Sequence, residues 1–288
     1  MRYVIEHETS LTFPLPVREH QTELRLTPRQ DDTQRVLAAQ IETDPPAELF
    51  SYVDCFGNRV HYFSLMAPHD CLITRLHAEV ETLVDNPFDY APLRPSQEHA
   101  WFAEQLRTQP RLWSFVLHRS PMTPDLTQLD HGLELPCYDP ALPLLHAVQG
   151  AMDWIAAALT YRAGVTDVHT PLEAVLATRA GVCQDFAHLL VALVRTWSFP
   201  ARYVMGYLDP GYVQSPDIQL TTHAWAEVLI PGAGGRGFDA TLQLVCDQTY
   251  VAMTTGRDYL DAAPQRGSFK GEEGGQPPQV HLQIVRQQ

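Results

Sequence analysis

The sequence predicts an α+β protein in two parts: an N-terminal antiparallel β-sandwich-like domain, then helices packed on a second antiparallel sheet. Three observations predict it. Residues 1 to 85 carry short period-two runs separated by turn residues. Residues 142 to 198 carry apolar side chains at helical spacing. Residues 202 to 242 return to strand character around a Gly-rich turn, so helices precede the second sheet. The chain has 288 residues, 45% hydrophobic and 19% charged, which suffices for a sizeable core and is far from a disordered composition.

Four strands are expected in the first part, at Tyr3–Thr9, Thr22–Thr27, Val60–Leu65 and Leu72–Val80, with Phe56-Gly57-Asn58-Arg59 as a turn. No chemistry is read in this half. His7, His61, His69 and His77 are scattered and take structural or surface roles. The chain divides as a β-rich domain over 1–90, a Pro-rich connector with short helices over 91–140, the α+β core over 141–265, and a Gly-rich arm with a final strand over 266–288. Within the connector, Ser96 is expected to cap a helix over Gln97–Arg107.

In the core, Leu142, Leu145, Val148, Met152, Ile155, Ala156 and Leu159 predict a helix from about 142 to 161. Thr170-Pro171-Leu172-Glu173 reads as a capping box with Pro at the first helical position, opening a short helix that ends near Arg179. Gly181 turns the chain, and the next helix runs from Cys183 to Ser198 and stops before Pro200. Strands are expected at Arg202–Leu208, His223–Ile230 and Phe238–Leu242, the last two joined by a hairpin loop over Pro231–Gly237. The segment Gly267–Pro278 reads as a flexible arm, and Val280–Val285 as one more strand.

Composition excludes several classes. The net charge is −14, from 20 basic and 34 acidic residues, so there is no basic field for nucleic acid or an anionic membrane surface. The five cysteines are odd in number and lack CxxC spacing, which disfavours a disulfide framework or a zinc site. No secretory h-region or membrane-spanning run is present. A cytoplasmic location, no metal and no cofactor are therefore expected; oligomeric state is not legible.

Cys183 carries the chemistry. It stands at the first turn of an apolar helix, where spare N–H groups and the helix dipole favour an anion. His223 and Asp239 follow, each in strand-like sequence. The order Cys, His, Asp is that of a nucleophile, its base and the group that orients the base. A turn at Pro231-Gly232 would set residue 239 opposite about residue 224, beside His223. A looser loop would slide that register. Cys55, Cys71, Cys137 and Cys246 read as core residues, and His188 as packing. Trp225, Gln184 and Asp185 are candidates for shaping substrate binding; Trp225 reads equally as core and Asp185 as a helix-start residue. Glu227 is a further candidate for shaping substrate binding and reads equally as a surface or ion-pair residue. The Cys183 N–H can serve as one oxyanion donor, and Gln149, Trp154 and Tyr161 are candidates for the second.

Gly181-Val182-Cys183-Gln184-Asp185-Phe186-Ala187-His188, His223-Ala224-Trp225-Ala226-Glu227-Val228 and Gly237-Phe238-Asp239-Ala240-Thr241 together resemble the bacterial transglutaminase-like superfamily. Gly256-Arg257-Asp258-Tyr259 and Pro264-x-x-Gly267 extend the likeness. In the first half, Tyr3-x-Ile5-x-His7-x-Thr9 and Asp54-x-Phe56-Gly57-Asn58 resemble the β-rich region that accompanies that core, so the likeness spans nearly the whole chain. Two departures stand beside Asp239: Ala240 replaces the usual Pro, and Gln243-Leu244 replaces a usual Asn-Gly.

The resemblance implies a papain-like, transglutaminase-like core and a Cys183–His223–Asp239 triad that acts on peptide or glutamine amides through a thioester. Water would resolve the thioester in a peptidase or amidase, and an amine in a transglutaminase. A catalytically inert peptide-binding scaffold is a third reading. A peptide or protein amide is the expected partner, and hydrolysis the expected reaction.

Overall fold

A computed structural model of the chain describes residues 1–129, 132–209, 211, 222–272 and 277–287. The first strand, β1 (Arg2–Leu24), is far longer than its alternating start suggests. Tyr3, Ile5, His7 and Thr9 are buried on one face. The register breaks between Thr12 and Val17, where Pro14 and Pro16 cannot donate to a ladder. The two strands expected at Tyr3 and Thr22 thus become the two ends of one bent element, each with its own partners.

There follow β2 (Gln34–Asp44), β3 (Phe50–Val53), β4 (Arg59–Leu65) and β5 (His69–Thr82). These strands form a curled antiparallel sheet in the order β2-β5-β1-β4-β3. Neither β2 nor β3 was foreseen. Both are sheet edges and largely exposed, so they lack the apolar alternation that marks a half-buried strand. The turn at Gly57, with φ +82°, docks on the second half of the chain. Asn58 there is buried, donates to the Thr255 carbonyl at 2.7 Å and accepts from the Thr255 N–H at 2.8 Å.

The connector holds α1 (Pro95–Thr108) and α2 (Trp113–Leu117). Arg94, not Ser96, occupies the cap position; Pro95 takes the first helical place, and Ser96 falls inside the first turn. Next comes α3 (Leu144–Ala158), shorter than its apolar pattern because Pro143 sits at its start and the chain turns extended at Leu159. Thr160–Tyr161 forms β6. The short helix α4 (Leu172–Thr178) begins without a capping box. The Thr170 hydroxyl is engaged instead with Asp167, accepting from its N–H at 2.9 Å. Ala180–Gly181 forms β7, parallel to β6.

The central helix is α5 (Cys183–Thr196). It packs on a sheet built from β8 (Ala201–Leu208), β9 (His223–Ile230), β10 (Gly234–Asp239), β11 (Leu244–Val245) and β12 (Tyr250–Gly256), in the order β11-β10-β9-β8-β12. Ala224, Ala226 and Val228 meet α5, as their small size suits. The β9–β10 loop is shorter than expected, because β10 begins at Gly234. Pairing of Phe238 with Ala226 sets the register, so Asp239 falls opposite Trp225, one place from the expected residue 224.

Near the end of α5, Arg195 is fully buried. Its guanidinium donates to the carbonyls of Phe115, Ala201 and Arg257 at 2.7–3.1 Å. It ties the connector and the end of β12 to the helix, and burial lowers its pKa to about 9.

After α6 (Tyr259–Ala262), the chain returns to the first sheet. Strands β13 (Gln265–Lys270) and β14 (Gln279–Gln287) both pair with β1. The expected final strand is present. The expected flexible arm is a strand as far as Lys270, and its residues 273–276 lie outside the described residues. Tyr207, Val251 and Met253 of the second sheet share a core with Tyr3, Ile5, Leu72 and Leu76 of the first, so the two sheets are packed together.

Candidate active site

Cys183 is the first residue of α5, and the turn before it is built around Asp185. One carboxylate oxygen of Asp185 accepts from the Val182 N–H at 2.8 Å and the Thr166 hydroxyl at 2.7 Å. A side chain on Gly181 would place its Cβ 2.7 Å from that oxygen, so only glycine lets the turn close. Burial raises the pKa of Asp185 against these hydrogen bonds. Asp185 is 1% exposed and positions the helix start; the alternative role in contacting substrate does not fit its burial. Gln184 faces the cleft, and its amide donates to the Asp167 carbonyl at 2.6 Å.

His223 opens β9 and donates from Nε2 to Oδ2 of Asp239 at 2.7 Å. Its other ring nitrogen is left for Cys183, which lines the same cleft. Burial alone would lower the His223 pKa, but the charge of Asp239 and the bonds to Asp239 and Cys183 raise it well above the usual imidazole range. Asp239 is wholly buried. Burial would raise its pKa, and His223, Tyr250 and the Leu242 amide together hold it below the usual carboxylate value. The Thr241 N–H also donates to it, at 2.9 Å. An inaccessible carboxylate with this many donors stays ionised and fixed.

Tyr250 was not foreseen. It lies on β12, remote in sequence from the three motifs, and its hydroxyl donates to Asp239 Oδ2 at 2.9 Å. No sequence signal marks it. Trp225 packs rather than lining the cleft. It is 3% exposed, sits in a cluster with Val204, Leu208, Cys246 and Tyr250, and lies edge-on to the Tyr250 ring at 5.3 Å. Of its two readings, core is the one the packing supports.

The departure at Gln243 is accommodated. Its φ is +60°, the left-handed conformation that Asn or Gly takes at low cost. The Gln243 amide donates to the carbonyls of Ala240 at 2.6 Å and Met152 at 3.1 Å, which offsets the strain and closes the turn beside Asp239.

The remaining candidates separate. Tyr161 lies near enough for Cys183 to raise its pKa, after burial; Trp154 packs partly buried against the hydrophobic core of the helices. His188 is buried, accepts from the Tyr259 N–H at 3.1 Å and stacks on Tyr203 at 4.5 Å. Glu227 pairs with Arg202 at 2.7 Å. Of the other thiols only Cys246 is buried; Cys55 and Cys137 are exposed and Cys71 is intermediate, so three of the four do not take the core role expected. Their short flanking runs carry no helical stripe to bury them.

Cys183 and His223 open onto a cleft of about 570 Å³. A larger cleft, about 820 Å³, lies away from the triad around Arg29, Arg202, Glu227 and Arg257. Six of its charged residues are paired, as Arg202–Glu227, Arg29–Asp31 and Arg257–Asp261, which suits an ion-paired seam better than a reaction site.

Fold and site together define a protein with a helix-borne thiol facing a buried His–Asp pair on an antiparallel sheet. Residues 3–81 match the bacterial transglutaminase-like N-terminal region, and residues 136–240 match the transglutaminase-like superfamily. An uncharacterized protein of Mycobacterium leprae is 31% identical over 99% of both chains. One of Mycobacterium tuberculosis is 33% identical over 92% of this chain and 87% of its own. The crystal structure of a candidate cysteine protease from Cytophaga hutchinsonii superimposes with a TM-score of 0.64 at 22% identity, over 100% of this chain and 92% of that one. The chain belongs to the transglutaminase-like superfamily, in the branch that carries the bacterial N-terminal region.

Proposed function

We propose that this protein is a thiol-dependent acyl-transfer enzyme that hydrolyses peptide or glutamine amides through a Cys183–His223–Asp239 triad. The observation that carries the reading is the buried relay from Cys183 through His223 to an Asp239 held by several donors. Cys183 Sγ attacks the amide carbon while His223 holds the thiol proton. The C–N bond breaks as His223 delivers that proton to the leaving amine. Water then adds to the thioester carbon with His223 as base, releasing the carboxylic acid and restoring the thiol. Asp239 holds the imidazole in orientation and stabilises its cationic form. The Cys183 N–H at the helix start serves as one oxyanion donor.

Water is the acceptor in this reading because it reaches any open cleft, whereas an amine needs a second binding site. A cytoplasmic setting belongs to the same proposal, supported by the fit of a reactive thiol to a reducing compartment.

The test is alkylation followed by acyl trapping. At pH 6, iodoacetamide should modify Cys183 at least about tenfold faster than the exposed Cys55 and Cys137, and His223→Gln should abolish the difference. Equal rates at the three thiols would end the triad reading. Incubation with glutaminyl peptides and a labelled primary amine should yield acid rather than labelled amide. Amine incorporation that depends on Cys183 would replace hydrolysis by transamidation.

A further inference from the structure

The cleft at Cys183 is not made by the catalytic half alone. One wall is the first sheet: His7, Leu11, Phe13 and His20 of β1, with Phe269 of β13. The opposite wall is β8, through Tyr203 and Met205, beside Cys183 and His223. Although 19% of the chain is charged, no Asp, Glu, Lys or Arg lines this cleft among the described residues.

The histidines of the far wall are also uncharged at neutral pH. Burial lowers His7 to about 4, and burial with the neighbouring His69 lowers His20 to about 4. Their hydrogen bonds agree. His69 Nδ1 donates to the Ala67 carbonyl at 3.0 Å, and His20 Nδ1 faces His69 Nε2 at 3.1 Å, so one proton lies between the two facing nitrogens. His7 is satisfied by Tyr207 and Thr9 at 3.0 and 3.1 Å.

Among the described residues, two polar atoms of the cleft lining lack a partner, Gln265 Oε1 and the Tyr203 hydroxyl, and the second stands beside Cys183. Tyr203 is fully buried, and its hydroxyl makes no hydrogen bond. It stands close enough to Cys183 for the thiol to bear on its ionisation, after burial. A buried hydroxyl left unpartnered costs on the order of 1–3 kcal/mol, a cost that an incoming carbonyl would relieve.

Resting on the acyl-transfer reading, we infer that the N-terminal sheet is the specificity wall of the enzyme. It selects an acyl donor with an uncharged, apolar or aromatic side chain next to the scissile amide, while the Tyr203 hydroxyl donates to a carbonyl of that donor. A charged side chain would have to leave water for a wall that offers no counter-charge. An apolar one gains contact with Leu11, Phe13 and Phe269.

Peptidyl vinyl sulfones differing only in the residue next to the electrophile test this. Each forms one S–C bond by addition of Cys183, with no leaving group. The Leu and Phe probes should label Cys183 at least about tenfold faster than the Glu and Lys probes, the range that one apolar contact supplies. Leu11 is partly exposed, so Leu11→Asp should fold; it should lower the Leu-probe rate and raise the Lys-probe rate. Tyr203→Phe should slow every probe carrying the carbonyl by about tenfold, leaving the ratios among them unchanged. Iodoacetamide, which makes no contact with the wall, should still label Cys183 selectively over Cys55 and Cys137 in wild type and in both variants. Equal rates for all probes, or a Leu11→Asp variant with unchanged ratios, would overturn the inference while iodoacetamide still reported an activated Cys183. Loss of selective iodoacetamide labelling in the wild type would instead remove the acyl-transfer reading beneath it.

Discussion

Tyr250 and His223 converge on the same atom: both donate to Oδ2 of Asp239, at 2.9 and 2.7 Å. The carboxylate is therefore gripped from β12 and β9 at once, and the imidazole is aimed by a group that cannot itself swing. Tyr250→Phe keeps the ring that packs edge-on against Trp225 and deletes only the hydroxyl. Loss of a hydrogen bond to a charged acceptor costs about 1.5–3 kcal/mol. Turnover should fall about tenfold with KM unchanged, because Tyr250 acts through Asp239 and His223 and not on substrate. The thermal midpoint should fall by several degrees. A kcat within twofold of wild type would show that the phenol is a bystander.

Stability should peak near neutral pH, with His223 shaping the alkaline limb and His188, together with the buried His7 and His20, the acid one. His223 is raised from an unfolded value near 6.5 to about 10, as Asp239 outweighs burial. Its contribution is complete below about pH 6.5 and is lost as pH rises toward 10, because the folded state then holds a proton the unfolded state has released. His188 runs the other way. Burial lowers it to about 3, so as pH falls from about 6.5 toward 3 the unfolded state gains a proton that the fold refuses. The His223→Gln variant should flatten the alkaline limb of a midpoint-versus-pH curve. The acid limb should flatten in part in His188→Gln, whose amide oxygen can still accept from the Tyr259 N–H, with His7 and His20 keeping the remainder. Unchanged limbs in both variants would refute the assignment.

The legible parts of this molecule are those where chemistry is local in sequence. Cys183 at a helix start, the α5 stripe and the small residues of β9 all follow from spacing, and the register of Asp239 was missed by one residue. What escaped is carried by long-range pairing. Tyr250 reaches Asp239 from another strand, and Tyr203 faces Cys183 from β8. Phe13 and His20 belong to a wall that exists only because β1 bends at Pro14 and Pro16. The exposed edges β2 and β3 show no alternation because they bury little. The capping box at Thr170 failed for a local reason of a different kind: Asp167 offers its hydroxyl a nearer partner than the helix does.

Gly206 tests how closely the sheet beneath His223 is built. It pairs with His223 across β8 and β9. A Cβ there would lie 2.1 Å from the Val251 carbonyl oxygen and 2.7 Å from the indole of Trp225. The carbonyl belongs to β12, close to the register shift between Ala252 and Thr254, so relief requires backbone movement and not merely a new rotamer. Overpacking of this kind costs about 1–3 kcal/mol or more. Gly206→Ala should lower the thermal midpoint by roughly 5 °C or more and slow alkylation of Cys183, since Trp225 and His223 are displaced together. Adding Trp225→Phe should recover part of the stability by removing the indole, but not all, because the Val251 carbonyl stays in place. A Gly206→Ala protein as stable and as reactive as wild type would mean that β8 and β12 lie farther apart than this packing has them.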